Sequence, residues 1–122
     1  MTKEQKQLGQ RGEGYACHYL ERQGVRILER NWRCKAGEAD IIACEDEDLV
    51  FIEVKTRRSA AAGLPEEAVT PEKRKRYEGI ALHYLATHSL PSSRVRFDVI
   101  ALSVIDEGRA FVRHHRDAFC CE

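Results

Sequence analysis

Asp40, Glu53 and Lys55 are the residues whose types and spacing point most directly to chemistry. Asp40 lies in residues 38–45 and the other two lie in residues 49–56, and both segments are rich in the β-branched and apolar residues typical of strands. Because side chains alternate along a strand, Glu53 and Lys55 point to the same face. Mg²⁺ prefers carboxylate oxygens and water molecules as ligands, so Asp40 and Glu53 could hold it together. Such a site suits phosphodiester hydrolysis, in which a bound cation activates water and a lysine stabilises developing negative charge or orients that water.

The register of the β-hairpin predicted for these two strands decides whether Asp40 meets Glu53. A four-residue loop over 45–48, or a two-residue loop over 46–47, places the two carboxylates opposite each other, with β-carbons about 5 Å apart. A loop of three or five residues would shift the pairing by one. Like charges this close raise each other's pKa unless a positive group lies between them, and a divalent cation would supply that group.

The same register is also compatible with a solvated sheet face that has no catalytic site. It places Glu38 opposite Lys55, so that these two residues could form a simple surface salt bridge. Acid-rich alternating strands also occur on solvated sheet faces, and the E-x-K triplet by itself has little specificity. Spacing alone therefore leaves both a catalytic site and a solvated face open.

The rest of the chain supplies elements that could position these residues. Apolar residues at helical spacing predict a first helix whose stripe contains Leu8, Tyr15, Ala16, Tyr19 and Leu20. Thr70-Pro71 predicts the start of a second helix, and residues 57–69 read as a mobile loop. The predicted helices cover 4–23 and 70–88, and the predicted strands cover 25–33, 38–45, 49–56, 94–104 and 109–115. This order, α-β-β-β-α-β-β, predicts one α/β domain over residues 1–122, with a mixed sheet flanked by helices.

Two motifs carry a family resemblance. The segments G-E-A-D-I-I-A at 37–43 and L-V-F-I-E-V-K-T-R at 49–57 resemble the PD-(D/E)XK nuclease superfamily. They look more specifically like the YraN family of small bacterial nuclease-like proteins, which is similar to archaeal Holliday junction resolvases. Further matches are Gly12-Glu13, residues 27–33, residues 63–69, Arg96-Phe97-Asp98-Val99 and Asp117-Ala118-Phe119. The resemblance implies a restriction-endonuclease-like core.

The resemblance also implies roles for individual residues. Asp40 and Glu53 would be metal ligands, Lys55 would be the catalytic lysine, and Glu13 would be the helical acid that accompanies this motif and contributes to the metal site. Ala39 stands where the superfamily name has proline, which changes little because only the aspartate is chemically required. The implied activity is that of a Mg²⁺- or Mn²⁺-dependent deoxyribonuclease acting on branched or Holliday-junction DNA. The alternative is a catalytically weak nucleic-acid-binding or protein-interaction module on a nuclease fold.

Basic residues suggest where DNA would bind. The chain has 20 basic and 20 acidic residues and no net charge, so any phosphate contact must come from a local patch. Several cations at the start of a helix oppose its macrodipole, which favours an external anion, although a solvated charged face is the ordinary alternative. The predicted nucleic-acid-binding residues are Arg57, Arg58, Lys73, Arg74, Lys75 and Arg76.

Composition limits the remaining classes. The sequence has no apolar run of the roughly 20 residues that a membrane-spanning helix needs, and its N-terminal residues carry no signal-peptide core. We therefore expect a soluble cytoplasmic protein without a membrane partner. A resolvase acting on paired strands would need a symmetric homodimer, and we expect one if the substrate is a junction.

Overall fold

A computed structural model describes residues 2–58, 70–88, 94–106 and 108–119. The elements are, in chain order, α1 (Lys3–Arg22), β1 (Arg26–Cys34), β2 (Gly37–Glu45), β3 (Asp48–Arg57), α2 (Pro71–Thr87), β4 (Arg94–Asp106) and β5 (Arg109–His115). This is the predicted order, and the boundaries differ from the predicted ones by only a few residues. The loop predicted over residues 57–69 lies outside the described residues from 59 onward.

All five strands form one sheet in the order β1-β2-β3-β4-β5. Neighbouring strands are antiparallel, except for β3 and β4, which are parallel. Parallel neighbours need a crossover connection, and α2 lies in that connection. The mixed sheet with its two helices confirms the predicted α/β fold class.

Each face of the sheet has its own apolar core under one helix. The α1 face buries Ile52 and Ile100, whereas the α2 face buries Phe51 and Phe97. The helices complete these cores with Ala16, Cys17 and Leu20 from α1 and with Tyr77, Ile80, Ala81 and Tyr84 from α2. The chain thus has a three-layer arrangement, in which charged strand residues can meet side chains from either helix.

The ends of the helices follow from local sequence. The side-chain oxygen of Thr70 accepts a hydrogen bond from the backbone N–H of Lys73 at 3.1 Å, and Pro71 occupies the first turn, so the predicted start of α2 is confirmed. The chain leaves α1 through Gly24, whose φ of 81° is readily adopted by glycine. Among the described residues, neither helix is long and apolar enough to cross a lipid bilayer.

Candidate active site

The β2–β3 hairpin brings the two predicted carboxylates to one place. Cys44 pairs with Leu49 and Glu45 pairs with Asp48, so residues 46–47 form a two-residue turn. This is one of the two registers that place Asp40 opposite Glu53. The regular pairing between the strands ends one step earlier, at Ile41 and Ile52.

The carboxylate of Asp40 continues the hydrogen bonding where the ladder stops. Its Oδ2 accepts a hydrogen bond from the backbone N–H of Val54 at 2.8 Å. Here a side chain takes the place of a carbonyl acceptor, which anchors Asp40 to β3 beside Glu53. A carboxylate that accepts from a backbone N–H is favoured in its charged form.

The strand pattern changes around Asp40. Ala39 packs in the same core as Ile42, rather than with Ile41, so the regular alternation of faces breaks at this point. On the neighbouring strand β1, Asn31 has a φ of 51°, in the left-handed region that asparagine tolerates better than most residues. A local irregularity in β1 and β2 therefore flanks the candidate site.

Three glutamates act on the pKa of Asp40. The pKa of Asp40 is raised to about 7, mainly by burial and additionally by the negative charges of Glu53, Glu13 and Glu38, against the lowering effect of the Val54 hydrogen bond. A carboxyl group with a pKa this high is partly protonated near neutral pH. Such a group gains from any cation that compensates the shared negative charge.

A close helix–strand contact places Glu13 near this group. Gly12 is buried on α1, and a β-carbon at this position would overlap the side chain of Thr56 on β3. The absence of a side chain at Gly12 lets α1 approach the strand that carries Glu53 and Lys55. Glu13, the next residue, is half-buried and contributes to the raised pKa of Asp40.

Lys73 joins the site from α2. Its Nζ lies 3.3 Å from Oε2 of Glu53, and both side chains are largely buried, with 23% and 16% exposure. Burial lowers the pKa of Lys55, and a hydrogen bond with Lys73 and the charge of Lys73 lower it further, whereas Glu53 opposes the change. The site therefore combines two lysines close to Glu53 with the carboxyl group of Asp40, whose pKa is raised.

The salt bridge proposed between Glu38 and Lys55 is not formed. Glu38 instead pairs with Arg33 on β1, where Oε2 accepts from Nε at 2.6 Å. The ladder between β2 and β3 does not extend as far as these positions, so Glu38 is tied to the other neighbouring strand. Lys55 therefore interacts with Glu53 and Lys73 in the site instead of with Glu38.

The predicted nucleic-acid-binding residues occupy two neighbouring segments and have different surroundings. Arg57 is half-buried and Arg58 is exposed at the end of β3, and Arg74 and Lys75 are exposed in the first turns of α2. Lys73 belongs to the site itself. The aliphatic part of Arg76 packs over Gly37, where an added β-carbon would lie 2.7 Å from Cδ, so part of this side chain has a packing role.

The donor chemistry of the site fits a hard divalent cation. Asp40 and Glu53 offer carboxylate oxygens, and Mg²⁺ is commonly held by one or two carboxylates with water in its remaining positions. Within the described residues, no group of three or more His, Cys, Asp or Glu side chains is arranged to hold a metal ion. Glu13 therefore does not join Asp40 and Glu53 as a third close ligand in this arrangement.

Replacing Asp40 with asparagine is expected to stabilise the protein when no divalent metal is present. The substitution removes a desolvated charge and keeps an oxygen that can accept from Val54. The pKa of Asp40 is about 7 in the fold against an ordinary 3.8, so its stabilising contribution is full below about pH 4 and is lost as the pH rises to about 7. This difference corresponds to about 4 kcal/mol, and solvent screening at this half-buried group leaves an expected gain of about 1–3 kcal/mol at about pH 8.

Urea unfolding with a metal chelator at about pH 8 and about pH 4 measures this effect. Glu47→Gln is the matched control, because Glu47 is exposed in the β2–β3 turn. The stability gain of Asp40→Asn should disappear at the lower pH. A loss of stability at the higher pH, or a gain independent of pH, would contradict the electrostatics described for Asp40.

A second polar cluster lies on the opposite face of the sheet, and its centre is the fully buried Asp98. Asp98 accepts hydrogen bonds from Arg96 at 2.9 and 3.0 Å, from Nε2 of His114 at 2.7 Å and from the backbone N–H of Asp117 at 2.9 Å. Burial raises the pKa of Asp98, but the hydrogen bonds from His114 and Arg96 outweigh burial, so the pKa lies below its usual value.

Arg96 extends this cluster to the β2–β3 turn. Its guanidinium donates to Asp48 at 2.8 Å and to Glu45 at 2.6 Å. Arg94 also pairs with Asp48, and Arg116 forms a two-point contact with Glu45. The resemblance had marked residues 96–99 and 117–119 without giving them a role. The structure gives them a structural one, in fixing β4 to its neighbours.

Sequence reasoning placed Lys73 in the DNA patch and missed its contact with Glu53. The signal available was the cap at Thr70, which puts Lys73 in the first turn of α2. The direction of that turn relative to β3 depends on how α2 packs, and the strand pattern does not reveal it. The buried cluster around Asp98 was missed because alternation along β4 predicts faces without predicting partners from β2 and β5.

Most of the chain is similar to known proteins. The family described as "Uncharacterised protein family UPF0102" matches residues 12–102, a range that includes Glu13, Asp40, Glu53, Lys55 and Lys73. A UPF0102 protein of Syntrophus aciditrophicus is 52% identical over 100 residues, which cover 82% of this chain and 79% of that protein. One from Rhodococcus opacus is 46% identical over 112 residues, which cover 92% and 95%. The chain therefore belongs to the uncharacterised protein family UPF0102, the YraN family that its motifs resemble.

Proposed function

We propose that this protein is a metal-dependent endonuclease that hydrolyses DNA phosphodiester bonds. The observation that carries the proposal is the meeting of Asp40, Glu53 and Lys55 where the β2–β3 ladder ends, with Glu13 close enough to act on the charge of Asp40. The resemblance to PD-(D/E)XK nucleases supports the same assignment. Both arguments lead to one group of residues.

Asp40 and Glu53 would hold Mg²⁺ or Mn²⁺, and Glu13 would contribute through a water molecule or a second ion. When bound, the cation would polarise a phosphoryl oxygen and lower the pKa of a water molecule. Lys55, whose pKa is lowered by burial and by Lys73, is suited to orient the attacking water and to stabilise the developing negative charge. Lys73 would hold Glu53 in place and add positive charge for the phosphate.

The exposed cations near this site suit the backbone of a DNA substrate. Arg58, Arg74 and Lys75 are exposed, and they lie at the end of β3 and the start of α2, the same segments that supply Lys55 and Lys73. Branched or Holliday-junction DNA is the substrate class that the resemblance favours. Two strands of a junction would be cut by a two-fold symmetric homodimer, and the cytoplasm is where such a substrate would be met.

The test is incubation of the purified protein with branched and linear DNA in the presence of Mg²⁺ or Mn²⁺. Cleavage that depends on the metal and disappears in Asp40→Ala and Lys55→Ala would support the proposal. Cleavage that survives both substitutions would overturn the site assignment, because it would arise from other residues or from a contaminating nuclease.

One observation favours a second candidate function. Lys73 already neutralises Glu53, so the carboxylates are partly compensated by the protein's own cation. A binding module that keeps the nuclease fold, with little catalysis, could use such an arrangement to recognise nucleic acid or another protein. Metal titration separates the two functions, because a module without a metal site would show no stabilisation by Mg²⁺ or Mn²⁺.

A further inference from the structure

The α2 face of the sheet continues from the candidate site across β4 to the edge strand β5. Lys55 on β3 pairs with Ala101 on β4, which in turn pairs with Arg113 on β5. Side chains of directly paired residues point to the same face of a sheet. Val99, two residues before Ala101, packs in the core under α2. Lys55, Ala101 and Arg113 therefore form one row on the α2 face.

Phe111 lies on the same face, in the next row along the strands. Arg57 pairs with Ser103, and Ser103 pairs with Phe111. The two neighbours of Phe111 on β5, Ala110 and Val112, pack against the core under α1. Because side chains alternate along a strand, Phe111 points away from α1, toward the side of the sheet that carries the candidate site.

The ring of Phe111 is open to solvent. Phe111 is 67% exposed, more than any other large hydrophobic residue in the part of the chain that the structure describes. A single exposed apolar side chain is ordinary on a protein surface. Phe111 differs in its surroundings, because its own row contains Arg57 and the adjacent row contains Lys55 and Arg113.

The strand that carries Phe111 is basic. Residues 109–116 contain three arginines, two histidines and no acidic residue. Arg109 and Arg116 form ion pairs with carboxylates of β4 and β2, and Arg113 is exposed on the α2 face. A basic surface attracts phosphate groups and repels a second copy of itself. The charge therefore favours nucleic acid over a second copy of this chain as the occupant.

Short side chains separate the candidate site from the two β5 residues. Ala101 and Ser103 on β4 lie between them and the longer side chains of Lys55 and Arg57 on β3. Since neighbouring strands are about 4.8 Å apart, β5 lies about 10 Å from β3. One bound strand can therefore contact the β3 side chains and the β5 side chains together.

The distance from Lys55 to Phe111 corresponds to a few nucleotides. Phe111 lies one row beyond Lys55, or about 7 Å along the strands and about 10 Å across them, which gives about 12 Å between their backbones. One strand of stacked nucleic acid has a phosphate about every 3.4 Å along its axis. A strand with a phosphate at Lys55 therefore reaches Phe111 within roughly three to four nucleotides.

We propose that Phe111 and Arg113 bind an unpaired nucleotide of the DNA substrate, with the base stacked on Phe111 and a phosphate at Arg113. An aromatic ring beside basic side chains is the combination that binds single strands, through base stacking and phosphate contacts. Bases inside a duplex stack on one another, so a ring on a sheet surface can stack only on an unpaired base. The inference rests on the proposed function, since it adds a subsite for the same substrate. It favours a branched substrate with an unpaired strand over a linear duplex.

The test measures binding of a fluorescein-labelled oligothymidylate of about ten nucleotides by fluorescence anisotropy, with a chelator present so that metal-dependent cleavage does not occur. Phe111→Leu removes the aromatic ring and keeps an apolar side chain, and it should weaken binding about 5- to 100-fold, the range expected for a lost base stack. Phe111→Tyr keeps the ring and should bind like the wild-type protein. Leu82→Ala is the matched control, because Leu82 is 63% exposed on α2 and should leave binding unchanged.

The same assay tests the phosphate contact of Arg113. One phosphate contact with a single strand contributes about 0.7 to the slope of log affinity against log salt concentration. Arg113→Ala should weaken binding and lower this slope by about 0.7, whereas Phe111→Leu should leave the slope unchanged. An unchanged slope in Arg113→Ala would overturn the assignment of the phosphate to Arg113.

Binding and cleavage are read separately. Saturable binding that is weakened by Phe111→Leu and kept in Phe111→Tyr and Leu82→Ala supports the subsite, even if the protein cleaves no DNA in Mg²⁺ or Mn²⁺. Equal binding by Phe111→Leu and Leu82→Ala overturns it, even if the protein cleaves DNA, and so does the absence of binding by the wild-type protein. Light scattering of the same variants tests the rival occupant, because a dimer that Phe111→Leu dissociates would assign Phe111 to a second copy of the chain instead.

Discussion

Replacing Lys55 with alanine is expected to lower the rate of metal-dependent DNA cleavage by about 10²- to 10³-fold, the usual cost of losing one group that stabilises transition-state charge. Lys55 shares the α2 face of β3 with Glu53 and is half-buried beside Lys73. In this position its ammonium group can reach the same phosphate that a cation on Asp40 and Glu53 would polarise. Single-turnover cleavage of a branched DNA substrate measures the rate of this step without product release.

The same variant should keep its affinity for Mg²⁺, because lysine is not a ligand. Lys35→Ala is the matched control, since Lys35 is exposed in the β1–β2 turn. Equal rates for the wild-type protein and Lys55→Ala would remove Lys55 from the catalytic step. A loss of metal binding in Lys55→Ala would instead point to collapse of the site.

Replacing Asp98 with alanine is expected to lower the free energy of unfolding by about 3–5 kcal/mol, the cost of leaving a buried charge without its partner. Asp98 is fully buried and holds Arg96, His114 and the backbone of Asp117 together. Among the described residues, its removal leaves the 7%-exposed Arg96 paired with Glu45 and Asp48. Urea unfolding at neutral pH measures the loss of stability.

The pH dependence of this effect has a defined sign. The pKa of Asp98 is lowered in the fold, so its stabilising contribution is present above its ordinary value of 3.8 and is lost as the pH falls through the lower folded pKa. The difference between the wild-type protein and Asp98→Ala should therefore narrow in acid. Asp106→Asn is the control from the same strand, because Asp106 forms an exposed pair with Arg109 and should matter little. A stable Asp98→Ala variant would show that the cluster does not hold β4 in place.

The elements of the fold could be predicted because their signals are local. Thr70 and Pro71 mark the start of a helix without reference to the rest of the chain. The apolar faces of β2 and β3 favour a hairpin register with one of two loop lengths. Both loop lengths bring Asp40 and Glu53 together. That coincidence made the carboxylate pair predictable without knowledge of the turn.

The rest of the site depends on packing that no local pattern describes. Lys73 reaches Glu53 because α2 packs over the start of β2, with Arg76 over Gly37 and Gly79 against Ala36, and this packing brings the first turn of α2 to β3. The acceptor role of Asp40 toward Val54 arises because the ladder stops at that point. In each case the partner lies in another element, far away in the sequence. Alternation along a strand and spacing along a helix do not predict such contacts.

The two tyrosines of α1 show what helical periodicity cannot predict. Tyr15 and Tyr19 have the spacing of core residues, and the pattern places them on the inner side of the helix. Both pack against the α1-side core as predicted, but the β4–β5 hairpin covers them only in part, so they also line a cavity of about 720 Å³. Periodicity predicts which side chains face inward, but it does not show whether another element fills the space that they face.

The most direct test of the account is isothermal titration of Mg²⁺ or Mn²⁺ into the metal-free protein and into Asp40→Asn and Glu47→Gln. We expect saturable binding to the wild-type protein and to Glu47→Gln, with an accompanying rise in melting temperature, and loss of both effects in Asp40→Asn. Binding that is unchanged in Asp40→Asn, or no binding by the wild-type protein, would contradict the claim that Asp40 and Glu53 form the metal site of a nuclease.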